Sequence, residues 1–148
     1  MVWLWYITAM VGKIKYMASA CLAGVNCRYD GTSREDAYVS ALFKKGLVIP
    51  FCPEIFGEMG IPRKRVQIIE GDGNDVIDNH ARVMDADETD RTEQMIKGAE
   101  KTAAFGTIVS PEIIFLKSKS PSCGVSPKIG VTTALLMKSG FNLREVGE

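Results

Sequence analysis

The stretch Lys13-Ile14-Lys15-Tyr16-Met17-Ala18-Ser19-Ala20, followed at once by Cys21-Leu22-Ala23-Gly24, is where this sequence first shows its architecture. A short apolar run with alternating lysines reads as a strand that enters the protein and stops at a loop. That loop, Cys21 to Ser33, is rich in the turn formers Gly24, Asn26, Asp30 and Gly31. Ser33 then stands where a helix cap belongs, and 34–45 carries Ala37, Val39, Leu42 and Phe43 on one face, with Gly46 as its stop. Leu47-Val48-Ile49-Pro50-Phe51 follows as a second buried strand and ends at Cys52-Pro53-Glu54.

The same unit recurs downstream. Thr89 or Asp90 can cap a helix that runs to about Phe105, with Met95, Ile96, Ala99, Thr102 and Ala103 inward and Gly106 at its end. Ile113-Ile114-Phe115-Leu116 is the third buried strand and leads into Lys117-Ser118-Lys119-Ser120-Pro121-Ser122-Cys123-Gly124. Residues 130–139 read as a helix, and Phe141-Asn142-Leu143 as a weak last strand. Between these units, Val66-Gln67-Ile68-Ile69 reads as a strand and Gly71-Asp72-Gly73-Asn74 as a turn. Val76-Ile77 with Arg82-Val83-Met84 is expected to make a small hairpin. Strands alternating with amphipathic helices predict an α/β fold, a single three-layer domain with a mostly parallel sheet flanked by helices, Rossmann-like.

With 148 residues and 46% hydrophobic content, the chain is long enough to bury one core. Eighteen basic residues balance eighteen acidic ones, which speaks against a nucleic-acid binder acting through a broad basic field. Residues 1–12 read as an extra N-terminal segment, possibly disordered, before a domain at 13–148. Its apolar opening lacks a basic n-region and is too short for a membrane span. The expected setting is cytoplasmic, with no membrane partner.

Four cysteines and one histidine, His80, carry the chemistry. In open parallel sheets, ligands bind beyond the carboxyl ends of the strands. Cys21, Cys52 and Cys123 each follow a predicted strand, so the fold would bring them to one rim although they lie 31 and 71 residues apart. Ordinary buried thiols would explain one such residue more readily than three. A structural zinc normally draws on a close cysteine pair, whereas Cys21 and Cys27 are loosely spaced and Cys52 and Cys123 have no near partner. No C-x-x-C redox pair is present. His80 reads as an exposed loop residue. Single, spread cysteines suit an iron–sulfur cluster, and three thiolates on four irons leave one iron open as a Lewis acid.

Four segments together resemble the thiouracil desulfurase family: Ser19-Ala20-Cys21-Leu22-Ala23-Gly24, Cys27-Arg28-Tyr29-Asp30-Gly31, Cys52-Pro53-Glu54 and Ser120-Pro121-Ser122-Cys123-Gly124. The C-terminal Gly130-Val131-Thr132-Thr133-Ala134-Leu135-Leu136 is also similar to that family's last helix. The resemblance implies a four-iron four-sulfur cluster on Cys21, Cys52 and Cys123, with one open iron, and Cys27 outside the ligand set. It also implies that Glu54 and Ser120 handle protons in the non-redox desulfuration of a small thiolated pyrimidine. Two departures stand out: only five residues, 125–129, bridge Gly124 to Gly130, and Ala23 stands where leucine is common. The rival readings are a non-catalytic iron–sulfur or metal protein, such as a sulfur carrier or redox sensor, and a metal-free thiol enzyme. A carboxylate beside Cys52 favours the desulfurase over the carrier, and the absence of a Cys–His pair weakens the thiol enzyme. Arg28 and Asp30 are expected either to pair across the first loop or to touch the substrate.

Overall fold

The computed structural model describes residues 14–147; the expectation for residues 1–12 lies outside them. Six strands and five helices form in chain order: β1 (Tyr16–Ser19), α1 (Ala37–Lys44), β2 (Val48–Phe51), α2 (Pro53–Phe56), β3 (Val66–Ile69), α3 (Gly73–Ile77), β4 (Arg82–Asp85), α4 (Thr92–Val109), β5 (Ile113–Lys117), α5 (Val131–Lys138) and β6 (Leu143–Val146). The main sheet has the order β2-β1-β5-β6, and every neighbouring pair in it is parallel. A separate two-stranded antiparallel ribbon joins β3 to β4.

Alternation along the strands sorts the core into two faces. Ala18, Val48 and Phe115 point to the face covered by α1, where they meet Val39 and Leu22. Met17, Ile114 and Leu116 point the other way, against Leu136 of α5 and Ala103 and Phe105 of α4. A third cluster seals the ribbon and α3 against α4 and α5 through Ile68, Val76, Val83, Met95, Ala99 and Val131. The expected three-layer α/β arrangement is therefore present, with the ribbon as an addition on one side.

Four local expectations change. The first helix begins at Ala37 and is capped by Asp36, whose carboxylate accepts the Tyr38 and Val39 N–H groups. Ser33 does not cap it, because the intervening backbone is tied elsewhere: Arg34 N–H donates to the Cys21 carbonyl and Asp36 N–H to that of Leu22. The expected Val76-Ile77 hairpin strand is instead the short helix α3. Asp72 and Asp75 form a reciprocal capping box there, which satisfies the orphan N–H groups a turn would have left open. Its place opposite β4 is taken by β3. The long helix does not end at Gly106 but continues to Val109, and a Cβ at Gly106 would come within 2.9 Å of the Phe141 ring. Phe141 thus packs under α4, and the last strand starts at Leu143 rather than at Phe141.

Candidate active site

Parallel order places the carboxyl ends of β1, β2 and β5 side by side, and each leads into a cysteine loop. After β1, a single 3-10 turn, Ala20–Ala23, carries Cys21 and closes at Gly24 in the left-handed region, φ 93°. After β2, Cys52 occupies the N-cap position of α2, with Pro53 at the first helical position and Glu54 in the first turn. After β5, Ser120 shapes the third loop: its hydroxyl oxygen accepts N–H bonds from Ser122 and Cys123, at 3.2 and 3.1 Å.

The start of α5 fixes that third loop from below. Val131 N–H donates to the Pro121 carbonyl, and Thr132 and Thr133 N–H both donate to the Ser122 carbonyl. Helix and loop approach so closely that a Cβ on Gly130 would lie 2.4 Å from the Ser122 carbonyl carbon. Gly130→Ala is therefore expected to cost about 2–3 kcal/mol, the upper range for overpacking, and to displace Cys123. Thermal melting together with the yield of cofactor-loaded protein checks this; a wild-type melting point would show that the loop yields freely. The short 125–129 bridge is also pinned, since the Glu145 carboxylate accepts from Val125 N–H and from both the N–H and the hydroxyl of Ser126.

Cys21, Cys27, Cys52 and Cys123 line one cavity of about 140 Å³, roughly ten times what one water molecule needs. All four are free thiols, and Cys21, Cys27 and Cys123 are buried. Cys27, which the resemblance leaves outside the ligand set, shares this cavity. The Cys52 thiol lies 3.9 Å from the Cys27 carbonyl oxygen. Among the described residues no group of three or more His, Cys, Asp or Glu side chains is arranged to hold a single metal ion.

Cys27, Cys52 and Cys123 resist ionisation. Cys27 is pushed up to about 11, chiefly by its hydrogen bond with Cys21. Cys52 is raised by its hydrogen bond with Cys27 and by burial. Burial pushes Cys123 up to about 12. A folded pKa above the unfolded one means that the native state holds the proton longer, so stability is full below the unfolded pKa and falls as pH rises past it. Cofactor-free protein is expected to lose several degrees of melting temperature between about pH 8.5, where unfolded thiols titrate, and pH 11. Cys27→Ala is expected to lose less. An equal drop in the variant would show that the thiols do not govern the alkaline limb.

Glu54 reaches the same cavity and is nearly buried, its side chain 12% exposed. Its Oε2 accepts from Arg63 Nε at 2.5 Å, and its Oε1 accepts the Ser122 hydroxyl at 2.9 Å. Ser120, Arg28, Lys117 and Lys119 line the cavity too. Burial, with Arg28, Arg34 and Lys119 nearby, pulls the Lys117 amine below its ordinary value. Arg28 and Asp30 do not pair; each engages Thr32 instead, and Arg28 lies over the Tyr29 ring at 5.5 Å. His80 is exposed, as expected. Two site residues were not foreseen. Ser122 read as a turn former beside Pro121, and Arg63 sits in an irregular segment with no periodicity to mark it.

A rim of thiols, three of the four buried, around a cavity that also holds a fixed carboxylate makes a candidate active site on a parallel α/β sheet. The chain belongs to the 2-thiouracil desulfurase family, whose sequence pattern matches residues 17–146. It is 34% identical over 139 residues to the uncharacterized protein YbbK of Bacillus subtilis (strain 168), a match spanning 86% of this chain and 92% of that one. Among solved structures it is similar to a [4Fe-4S]-dependent thiouracil desulfidase, TudS. The TM-score is 0.75 at 29% identity, over 90% of this chain and 91% of the other.

Proposed function

We propose that this protein is an iron–sulfur-dependent, non-redox desulfurase for a small thiolated pyrimidine such as 2-thiouracil. The overall change is C=S plus water giving C=O plus hydrogen sulfide, with no electron transferred. The observation that carries the reading is the convergence of Cys21, Cys52 and Cys123 on one cavity, from three neighbouring parallel strand ends, beside a buried carboxylate two residues from Cys52. Membership of the family and the likeness to TudS support it.

The donor set fits a four-iron four-sulfur cluster. Thiolates are the ligands such clusters use, and donors spread around a cavity suit a polynuclear group better than one ion. Cys21, Cys52 and Cys123 are the ligands in this reading. Cys27 hangs within its loop instead of at a strand end and is left outside the set. When bound, the cluster supplies a thiophilic Lewis acid through its open iron. Lys117, Lys119 and Arg28 offset the negative charge that three thiolates bring into the cavity.

The rest of the work falls to this chain's own side chains. Glu54 takes a proton from the attacking water and returns it to the departing sulfur, so that both water hydrogens leave as hydrogen sulfide. Ser120, whose oxygen already accepts two N–H bonds, keeps its hydroxyl proton free to donate into the cavity. Four unpaired thiols suit a reducing compartment, the cytoplasm. Among the described residues no helix is long and apolar enough to cross a membrane.

The test is anaerobic reconstitution with iron and sulfide, followed by incubation with 2-thiouracil and no redox partner. Uracil and sulfide are expected in equal amounts. Loaded protein that forms no uracil overturns the assignment.

A further inference from the structure

Glu54 is held from two sides, by residues outside both the ligand set and the proton handlers. Arg63 donates Nε to Oε2, and its own side chain is only 7% exposed. The same guanidinium reaches the Cys27 carbonyl at 3.0 Å and the Gly60 carbonyl at 2.9 Å, while Arg63 N–H donates to the Tyr29 carbonyl at 2.8 Å. On the other side, Ser122 donates its hydroxyl to Oε1 and is itself anchored by α5 through its carbonyl. One chain of hydrogen bonds therefore links the three loops that carry the cysteines: Ser122 adjoins Cys123, Glu54 follows Cys52, and the Cys27 carbonyl belongs to the loop that begins at Cys21.

A guanidinium is a rigid planar fork, so it can hold a carboxylate and a carbonyl at a set angle in a way an ammonium cannot. We propose that Arg63 is a positioning residue for the desulfuration: it fixes the plane of the Glu54 carboxylate toward the cavity and locks that carboxylate to the Cys27 loop. The proposal rests on the reading of Glu54 as the proton handler. Its consequence is kinetic, because a catalytic group misplaced by about 1 Å loses on the order of 100-fold in rate.

Arg63→Ala and Arg63→Lys, reconstituted anaerobically beside wild type and Glu54→Gln, test it. Both Arg63 variants are expected to load iron and sulfide as wild type does. For Arg63→Ala, kcat on 2-thiouracil is expected to fall about 100-fold with KM within about threefold. Guanidinium ion is expected to restore part of that kcat in Arg63→Ala and none in Glu54→Gln. Arg63→Lys keeps the charge without the fork and is expected to recover less than about tenfold. A second readout needs no cluster. Melting of the cluster-free Arg63→Ala, Glu54→Gln and double variants is expected to show a double loss smaller than the sum of the single losses.

Strictly additive losses, a kcat near that of wild type, or a raised KM at unchanged kcat overturns the proposal. Should Arg63→Ala fail to fold, Arg63→Lys carries the same kcat-against-KM split. Wild-type protein that releases no sulfide defeats the functional reading itself. An active wild type with an inactive Glu54→Gln and a fully active Arg63→Ala defeats only the role of Arg63.

Discussion

Cys21→Ser, Cys52→Ser and Cys123→Ser are each expected to abolish cluster assembly, leaving colourless protein with less than about one iron per chain after anaerobic reconstitution. The expectation follows from position. Each thiol lies on a separate loop fed by a parallel strand: Cys52 directly after β2, Cys21 on the 3-10 turn after β1, and Cys123 beyond β5 on a loop tied to the start of α5. Serine is close in size, so the three variants are expected to fold, and near-wild-type far-ultraviolet circular dichroism confirms that control. A hydroxyl is a hard, weakly acidic donor, which iron–sulfur clusters rarely accept in place of thiolate.

Cys27→Ser is the informative contrast. Cys27 lines the same cavity but is carried by the irregular middle of its loop. It is expected to retain most of its iron and sulfide, counted chemically and followed by visible absorbance. Loss of the cluster in Cys27→Ser, with retention in one of the other three, would overturn the division into three ligands and one neighbour.

The sequence made the cysteine rim legible because Cys21, Cys52 and Cys123 each lie in the loop that follows an apolar run with strand character, and parallel order then follows from the alternation of strands and helices. What it hid was held by partners distant along the chain or by capping chemistry. Gly71-Asp72-Gly73 reads as a turn, and it becomes a helix start only because the Asp72 and Asp75 carboxylates each satisfy the other's backbone. Likewise Ser33 resembles a cap until the 3-10 turn at Ala20–Ala23 takes the N–H groups of Arg34 and Asp36. At the site, Ser122 meets Glu54 across 68 residues, and Arg63 meets it from a segment with neither helix nor strand. Periodicity reports which face of an element is buried; it carries no information about a polar contact made between loops.

Glu54→Gln is expected to keep the cluster and lose turnover of 2-thiouracil by about two to four orders of magnitude, the range a positioned general acid–base contributes. Glutamine preserves the shape of the clamp. Its amide oxygen can still accept from Arg63, and its amide nitrogen can donate to the Ser122 hydroxyl, so the cavity wall stays in place. What disappears is a group able to take a proton from water and return it to the departing sulfur. The substitution also leaves the Arg63 guanidinium, at 7% exposure, without its counter-ion, so cluster-free Glu54→Gln should melt several degrees below wild type. The two effects are separable, because iron and sulfide counts report the cluster, melting reports the ion pair, and only single-turnover sulfide release reports the proton step. A Glu54→Gln protein that holds its cluster and releases sulfide at the wild-type rate would remove Glu54 from the mechanism. Proton handling would then fall to Ser120, whose hydroxyl lines the cavity and accepts two N–H bonds without donating to a neighbour.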